Sequence, residues 1–242
     1  MLLVIDVGNT RIKTAVFEQY NMLEFAVTDK KQIQKDVELF SSKYKIETVF
    51  ISSVGDFDVK MLKFPKYVSI INLSSKDKFP FINRYTTPHS LGIDRMVLAA
   101  GAVLQFPNKN RLVIDAGTCI TYDYIDEKDN YLGGAISPGF KLRYESLHNY
   151  TAKLPLLNFE EPKNSIGNST DSAIHSGVIN GVINEIEGFI SDFKKQNKNF
   201  TIILTGGDAV FLAKRLKSTI FANSNFLLES LAYLYQYTNT ND

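Results

Sequence analysis

The chain has 242 residues, room for one large core or two units of ordinary domain size, and its 27 Lys and Arg against 26 Asp and Glu leave a net charge of +1, which excludes wrapping a polyanion such as nucleic acid. A single cysteine, Cys119, excludes an intrachain disulfide and suits a reducing compartment. The longest apolar run, 96–104, is too short to cross a bilayer, and Asp6 interrupts the apolar start with no basic region before it, so no leader is expected. A cytoplasmic protein is expected, with neither a membrane nor nucleic acid as partner.

In chain order, residues 2–6 and 12–17 are predicted as the arms of a hairpin around Gly8-Asn9-Thr10, and 23–28 as a third strand. Residues 30–44 have helical spacing, with Ile33, Val37 and Phe40 on one face. Strands follow at 48–53 and 67–73, with a short helix around Lys60. The second half repeats this outline, with strands at 111–115, 119–125 and 131–136 and a helix at 140–149. A long helix at 171–195, a strand at 201–205 and helices at 208–216 and 225–237 complete the chain. The fold class expected is α/β: two similar lobes, 1–110 and 111–242, each a mixed sheet with flanking helices. The stretches 75–88 and 154–168 are predicted as long irregular loops, a length that usually signals function or mobility.

Each half opens on the same phrase, Leu3-Val4-Ile5-Asp6-Val7-Gly8-Asn9-Thr10 and Leu112-Val113-Ile114-Asp115-Ala116-Gly117-Thr118. A short apolar run ending in an Asp-x-Gly turn reads as a buried strand whose backbone can approach a ligand. At the first turn, N–H groups around Gly8, with Asn9 and the Thr10 hydroxyl, can cradle phosphate oxygens; Lys13 can neutralise them and Asp6 can hold a hydrated magnesium. The alternative is an ordinary Asn-Thr hairpin turn with a surface lysine. The repeat at Asp115 to Thr118, and a late Thr205-Gly206-Gly207-Asp208 turn after a strand, favour two lobes closing on one nucleotide.

The pattern Asp6-x-Gly8-Asn9-Thr10-x-x-Lys13, the second Gly117-Thr118 turn and the Gly206-Gly207 turn resemble the acetate and sugar kinase, heat-shock 70 and actin superfamily. That resemblance implies a duplicated, ribonuclease H-like, actin-like ATPase fold that uses ATP with magnesium, and leaves the acceptor open. Tyr85-x-x-Pro88-x-x-x-Gly92-Ile93-Asp94-Arg95 resembles the signature of type III pantothenate kinases, and Gly133 to Gly139 and Gly167 to Thr170 are similar to two further motifs of that family. The resemblance implies that Tyr85, Gly92, Ile93, Asp94, Arg95 and Thr170 bind pantothenate, with Asp94 as base. It also implies that Asp115 ligates potassium or ammonium, that Thr118 contacts ATP, and that the enzyme is a homodimer with composite sites. The implied activity is formation of 4'-phosphopantothenate, the first step of coenzyme A synthesis. Another small-molecule kinase of the superfamily, or a non-catalytic regulatory factor, is the alternative.

The residues themselves leave several roles open. Asp94 lies just inside a predicted helix start, where the dipole favours its ionised form, and can accept a hydroxyl proton; it can equally cap that helix, with Arg95 as a surface ion-pair partner. Asp115 can simply order its turn. Val97, Ala100, Gly101 and Leu104 form an apolar face with small residues, suited to a second helix at a subunit interface or to the chain's own sheet. Cys119 is expected as a small core residue on a buried strand, and His89, His148 and His175 as non-catalytic. Ser230, where the resembled family tends to have glycine, is expected to loosen adenosine contacts or reshape the pocket wall, and the same is expected of Ser169, which replaces an asparagine or aspartate.

Overall fold

The structure, a computed structural model, describes residues 1–8, 10–53 and 61–240. Asn9 and the helix expected around Lys60 lie outside the described residues. The chain forms two compact units: Met1–Asn108 with Lys128–Leu132 and Asn225–Asp242, and Lys109–Glu127 with Gly133–Ser224. The first passage between them falls after Asn108, but the chain returns to the first unit twice, so one cut at 110 does not describe them.

In the first unit, β1 (Leu2–Val7), β2 (Ile12–Glu18) and β3 (Asn21–Thr28) form an antiparallel meander, and β4 (Thr48–Ser53) and β5 (Ser69–Asn72) continue the sheet in parallel from β1, in the order β3-β2-β1-β4-β5. β1 is buried along its whole length, as a central strand covered on both faces must be. Leu3, Ile5, Val7, Ile12, Val16, Val49 and Ile51 fill one face and pack with Ile33, Val37 and Phe40 of α1 (Ile33–Lys43). The other face meets α2 (Ile93–Gln105) and α6 (Phe226–Thr240). Residues Ile82–Asn83 make a short strand, β6, inside the stretch expected to be irregular; it pairs in parallel with Asn130 and Tyr131.

Every residue of α2 from 95 to 103 is buried. A helix apolar on all sides is a core helix, and its small-residue face is taken within the chain. At Gly101 a Cβ would stand 1.8 Å from the Ser230 Oγ of α6, so the second helix that this face admits is the chain's own, and the face is not open to a partner subunit. Ser230 is fully buried at that crossing and its hydroxyl donates to the Phe226 carbonyl at 2.6 Å, which corrects its assignment to an adenosine or pocket wall.

In the second unit, β7 (Asn110–Ala116) and β8 (Cys119–Ile125) are antiparallel, β9 (Asn130–Pro138) follows β8, and β10 (Phe200–Thr205) and β11 (Phe221–Ala222) add in parallel on the β7 side. The order β9-β8-β7-β10-β11 repeats that of the first sheet, and β6 adds a sixth strand beside β9. Leu112, Ile114, Ala116, Ile120 and Tyr122 pack with Phe140 and Tyr144 of α3 (Phe140–Asn149), Ile174 to Phe193 of α4 (Thr170–Gln196) and Leu212 of α5 (Ala209–Arg215). Cys119 is exposed, not core: as the first residue after the turn it precedes the part of β8 that the helices cover.

Candidate active site

The two sheets place their aspartates alike. Asp6 is next to last in β1 and Asp115 next to last in β7, each followed by a glycine turn into an antiparallel partner. Asp6 is 5 % exposed; directly across the ladder stand Lys13 on β2 and Ser52 on β4, so the three side chains share the face that meets α2 and α6. The Gly8 N–H donates to the Arg11 carbonyl at 3.1 Å, closing the first turn, with Thr10 exposed beside it. A carboxylate, a lysine and an exposed hydroxyl at a glycine turn suit the phosphates of a magnesium nucleotide. Asn9 cannot be placed in this group.

The block expected to bind the substrate is built in the same unit. The Tyr131 carbonyl accepts from the Arg84 N–H at 2.9 Å and Arg84 Nε donates to Asn130 Oδ1 at 3.0 Å, so β6 fixes the backbone just before Tyr85. The Tyr85 ring then lies 6.1 Å from the Tyr131 ring, and the Arg95 guanidinium sits 5.8 Å from the Tyr85 centroid. Arg95 is 6 % exposed and is no surface ion-pair partner. Gly92 is the N-cap of α2 and Ile93 its first residue. Asp94 Oδ1 accepts the Arg95 N–H at 2.8 Å, and a Cβ on Gly92 would stand 2.4 Å from that oxygen, so glycine is needed for the carboxylate to fold back. Asp94 satisfies one helix N–H while its Oδ2 accepts no hydrogen bond from a described residue, so it can cap and still accept a proton.

In the second unit, the Gly117 N–H donates to the Cys119 carbonyl and the Thr118 carbonyl accepts from the Gly139 N–H, each at 3.0 Å; Gly139 ends the Gly133 to Gly139 motif. The third turn closes on the same place. Gly206 has φ +97°, which favours glycine, and a Cβ there would stand 2.3 Å from the Ala116 carbonyl and 2.5 Å from Asp115 Oδ1. The Asp208 N–H donates to the Ala116 carbonyl at 3.0 Å, and burial pushes the Asp208 carboxyl above its ordinary value. Gly206 is thus set against Ala116 and Asp115, with Gly207 next in the chain, while Thr118 is tied to Gly139. Asp115 Oδ1, beside Gly206, is an oxygen donor of the kind that a large monovalent cation takes. Among the described residues no three of His, Cys, Asp and Glu form a group that could hold a metal ion.

Thr170 opens α4, exposed, after Ser169, whose side chain caps the helix in a reciprocal pair with Ser172. Serine is among the residues preferred for that capping role. Thr170 lines a cavity of about 550 Å³ with Arg143, Leu147, Leu154, Ile174 and Val178. Beneath it, Glu185 accepts from Tyr122 at 2.9 Å, Ser137 at 2.5 Å and Arg143 at 2.5 Å. Burial pushes the Glu185 carboxyl up, but these hydrogen bonds and the Arg143 charge more than reverse it, leaving it below its ordinary value. Burial and Glu185 together hold the Tyr122 phenol well above its own. Sequence reasoning missed this network, since a lone glutamate on a long helix gives no signal. It also missed Tyr131, whose role depends on the β6 pairing. His175 is buried against the Tyr144 hydroxyl at 2.9 Å, while His89 and His148 are exposed.

Five strands of each sheet run in the same order, and each sheet presents an aspartate and a glycine turn between its first two strands, which defines the class: an actin-like α/β fold. Among solved structures of this class the chain is similar to component A of (R)-2-hydroxyglutaryl-CoA dehydratase from Acidaminococcus fermentans, with a TM-score of 0.54 at 12 % identity over 100 % of this chain and 99 % of that one. It is also similar to a Campylobacter jejuni protein described as of the Baf family of transcriptional activators, with a TM-score of 0.66 at 22 % identity over 98 % and 99 %. These likenesses speak for fold alone. The family model for type III pantothenate kinases matches residues 2–192. A type III pantothenate kinase from Flavobacterium johnsoniae is 60 % identical over all of both chains. The chain belongs to the type III pantothenate kinase family.

Proposed function

We propose that the chain transfers the γ-phosphoryl group of ATP to the 4'-hydroxyl of pantothenate, the first step of coenzyme A synthesis, with Asp94 as the base. The observation that carries this reading is the start of α2, where a carboxylate with one committed oxygen adjoins a buried arginine stacked on a tyrosine. Phosphoryl transfer passes through a loose transition state, so positioning and charge neutralisation do most of the work. Asp94 Oδ2 takes the hydroxyl proton as the new bond forms. Arg95 and Tyr85 hold the pantothenate carboxylate, and burial strengthens the arginine's attraction for an anion. The Gly8 turn, Asn9, Thr10 and Lys13 bind phosphates, Asp6 orients the waters of magnesium, and Gly117, Thr118, Gly206 and Gly207 complete the nucleotide site. Magnesium supplies neutralisation of phosphate charge when bound. Asp115 holds potassium or ammonium, which supplies further positive charge beside the phosphates.

In the same proposal the enzyme is a cytoplasmic homodimer in which Thr170 reaches the pantothenate of the partner subunit; no helix among the described residues is long and apolar enough to cross a membrane. ATP consumption assayed against a panel of alcohols and acids, in potassium and then in sodium buffer, tests the reading. Turnover with pantothenate alone, and only in potassium or ammonium, is expected. Turnover with a sugar in place of pantothenate would favour another kinase of the class, and ATP binding without turnover a regulatory factor.

A further inference from the structure

The duplicated sheets share one more feature, a buried hydroxyl beside each aspartate. Across the parallel ladder from Asp6 stands Ser52, next to last in β4, and across the equivalent ladder from Asp115 stands Thr205, the last residue of β10. Ser52 is 0 % exposed and Thr205 1 % exposed. Neither hydroxyl has a hydrogen-bond partner among the described residues. Residues in register on parallel strands point to the same face, so each buried hydroxyl stands beside its aspartate. Leaving a buried hydroxyl unsatisfied costs stability, and an apolar residue would fill the same space without that cost. Packing does not call for a hydroxyl at either place, and both places adjoin the aspartate that stands next to last in the partner strand.

Around Asp115 the geometry is closer still. Its Oδ1 lies 2.5 Å from the position of a Cβ on Gly206, the residue after Thr205, so the carboxylate leans towards β10. Neighbouring strands are about 4.8 Å apart, a gap that a single ion coordinated from both sides spans. A large, weakly hydrated cation takes neutral oxygen donors readily, and a threonine hydroxyl is one. We propose that Thr205 supplies an oxygen ligand to the monovalent cation held by Asp115, an inference that rests on the assignment of that cation to Asp115 above.

The test is the melting midpoint of the full chain with magnesium and a non-hydrolysable ATP analogue, titrated with potassium chloride against sodium chloride at matched ionic strength, for the parent, Thr205→Val and Thr205→Ser. Potassium is expected to stabilise the parent more than sodium does, Thr205→Ser to keep that response, and Thr205→Val to need at least roughly tenfold more potassium for it. In sodium alone Thr205→Val is expected to melt no lower than the parent, because its hydroxyl has no partner to lose among the described residues. A parent-like potassium response in Thr205→Val, or its loss in a well-folded Thr205→Ser, overturns the proposal while leaving the cation at Asp115. A parent that does not distinguish potassium from sodium overturns that assignment and the proposal with it. Should Thr205→Val not melt cooperatively, Thr205→Ala takes its place, with the same outcomes.

Discussion

Replacing Asp94 by asparagine separates the chemistry of its carboxylate from its place in the fold. The residue does two things at the start of α2: Oδ1 accepts the Arg95 N–H at 2.8 Å, and Oδ2 faces no described donor. Asparagine keeps the first, since its amide oxygen can accept the same N–H, and loses the second, since an amide cannot take a proton near neutral pH. Exchanging a charged acceptor for a neutral one costs stability by about 0.5–1 kcal/mol. Losing a general base costs about 10²–10⁴ in rate, which is about 2.7–5.4 kcal/mol of transition-state stabilisation. The two effects differ enough to be read apart. Thermal or urea melting is expected to find Asp94→Asn close to the parent, and ATP-analogue binding to be unchanged, while turnover in a coupled ADP assay falls by at least about a hundredfold. Asp94→Ala should lose the same rate and also melt lower, by about 1 kcal/mol, because the helix N–H loses its acceptor. Turnover of Asp94→Asn within a few-fold of the parent would refute the assignment of the base.

Gly206→Ala is expected to be destabilised by about 1–3 kcal/mol in urea melts, because φ +97° and the nearby Ala116 carbonyl leave no room for a Cβ, whereas Gly207→Ala, with nothing within 4 Å, should stay within about 1 kcal/mol of the parent. Glu185→Gln should be less stable near neutral pH by about 1.5–3 kcal/mol. The folded Glu185 carboxyl lies below its ordinary value, so its contribution is present above the unfolded value and lost as pH falls through the folded one; melts at stepped pH should show the gap to Glu185→Gln closing below about pH 4. Asp94→Asn and Thr170→Trp should each be inactive alone, and mixed dimers should recover towards half the parent rate per dimer; mixed dimers as inactive as the parents would place both residues in one chain's pocket, or Thr170 outside it.

The two glycine turns are legible because an apolar strand ending in Asp-x-Gly is a local pattern, and its repetition in the second half announces the duplication that the matching order of five strands displays. The face of α1 was legible for the same reason: Ile33, Val37 and Phe40 recur at helical spacing and all three are buried. What escaped depended on which elements meet. Periodicity shows that Val97, Ala100 and Gly101 share a face but not that the last helix of the same chain returns to cover it. Cys119 belongs to a strand, yet the helices cover that strand only from Ile120 onward. Ser52 and Thr205 look ordinary until the strand registers set each beside its aspartate.

The central claim is that pantothenate accepts the phosphoryl group, and product analysis addresses it most directly. The purified chain incubated with magnesium ATP, potassium and pantothenate should yield ADP and, in equal amount, pantothenate bearing one phosphoryl group on its 4'-oxygen, identified by mass and by phosphorus–proton coupling. ADP formed at the same rate without pantothenate, or no phosphorylated pantothenate from a chain that binds ATP, would contradict it.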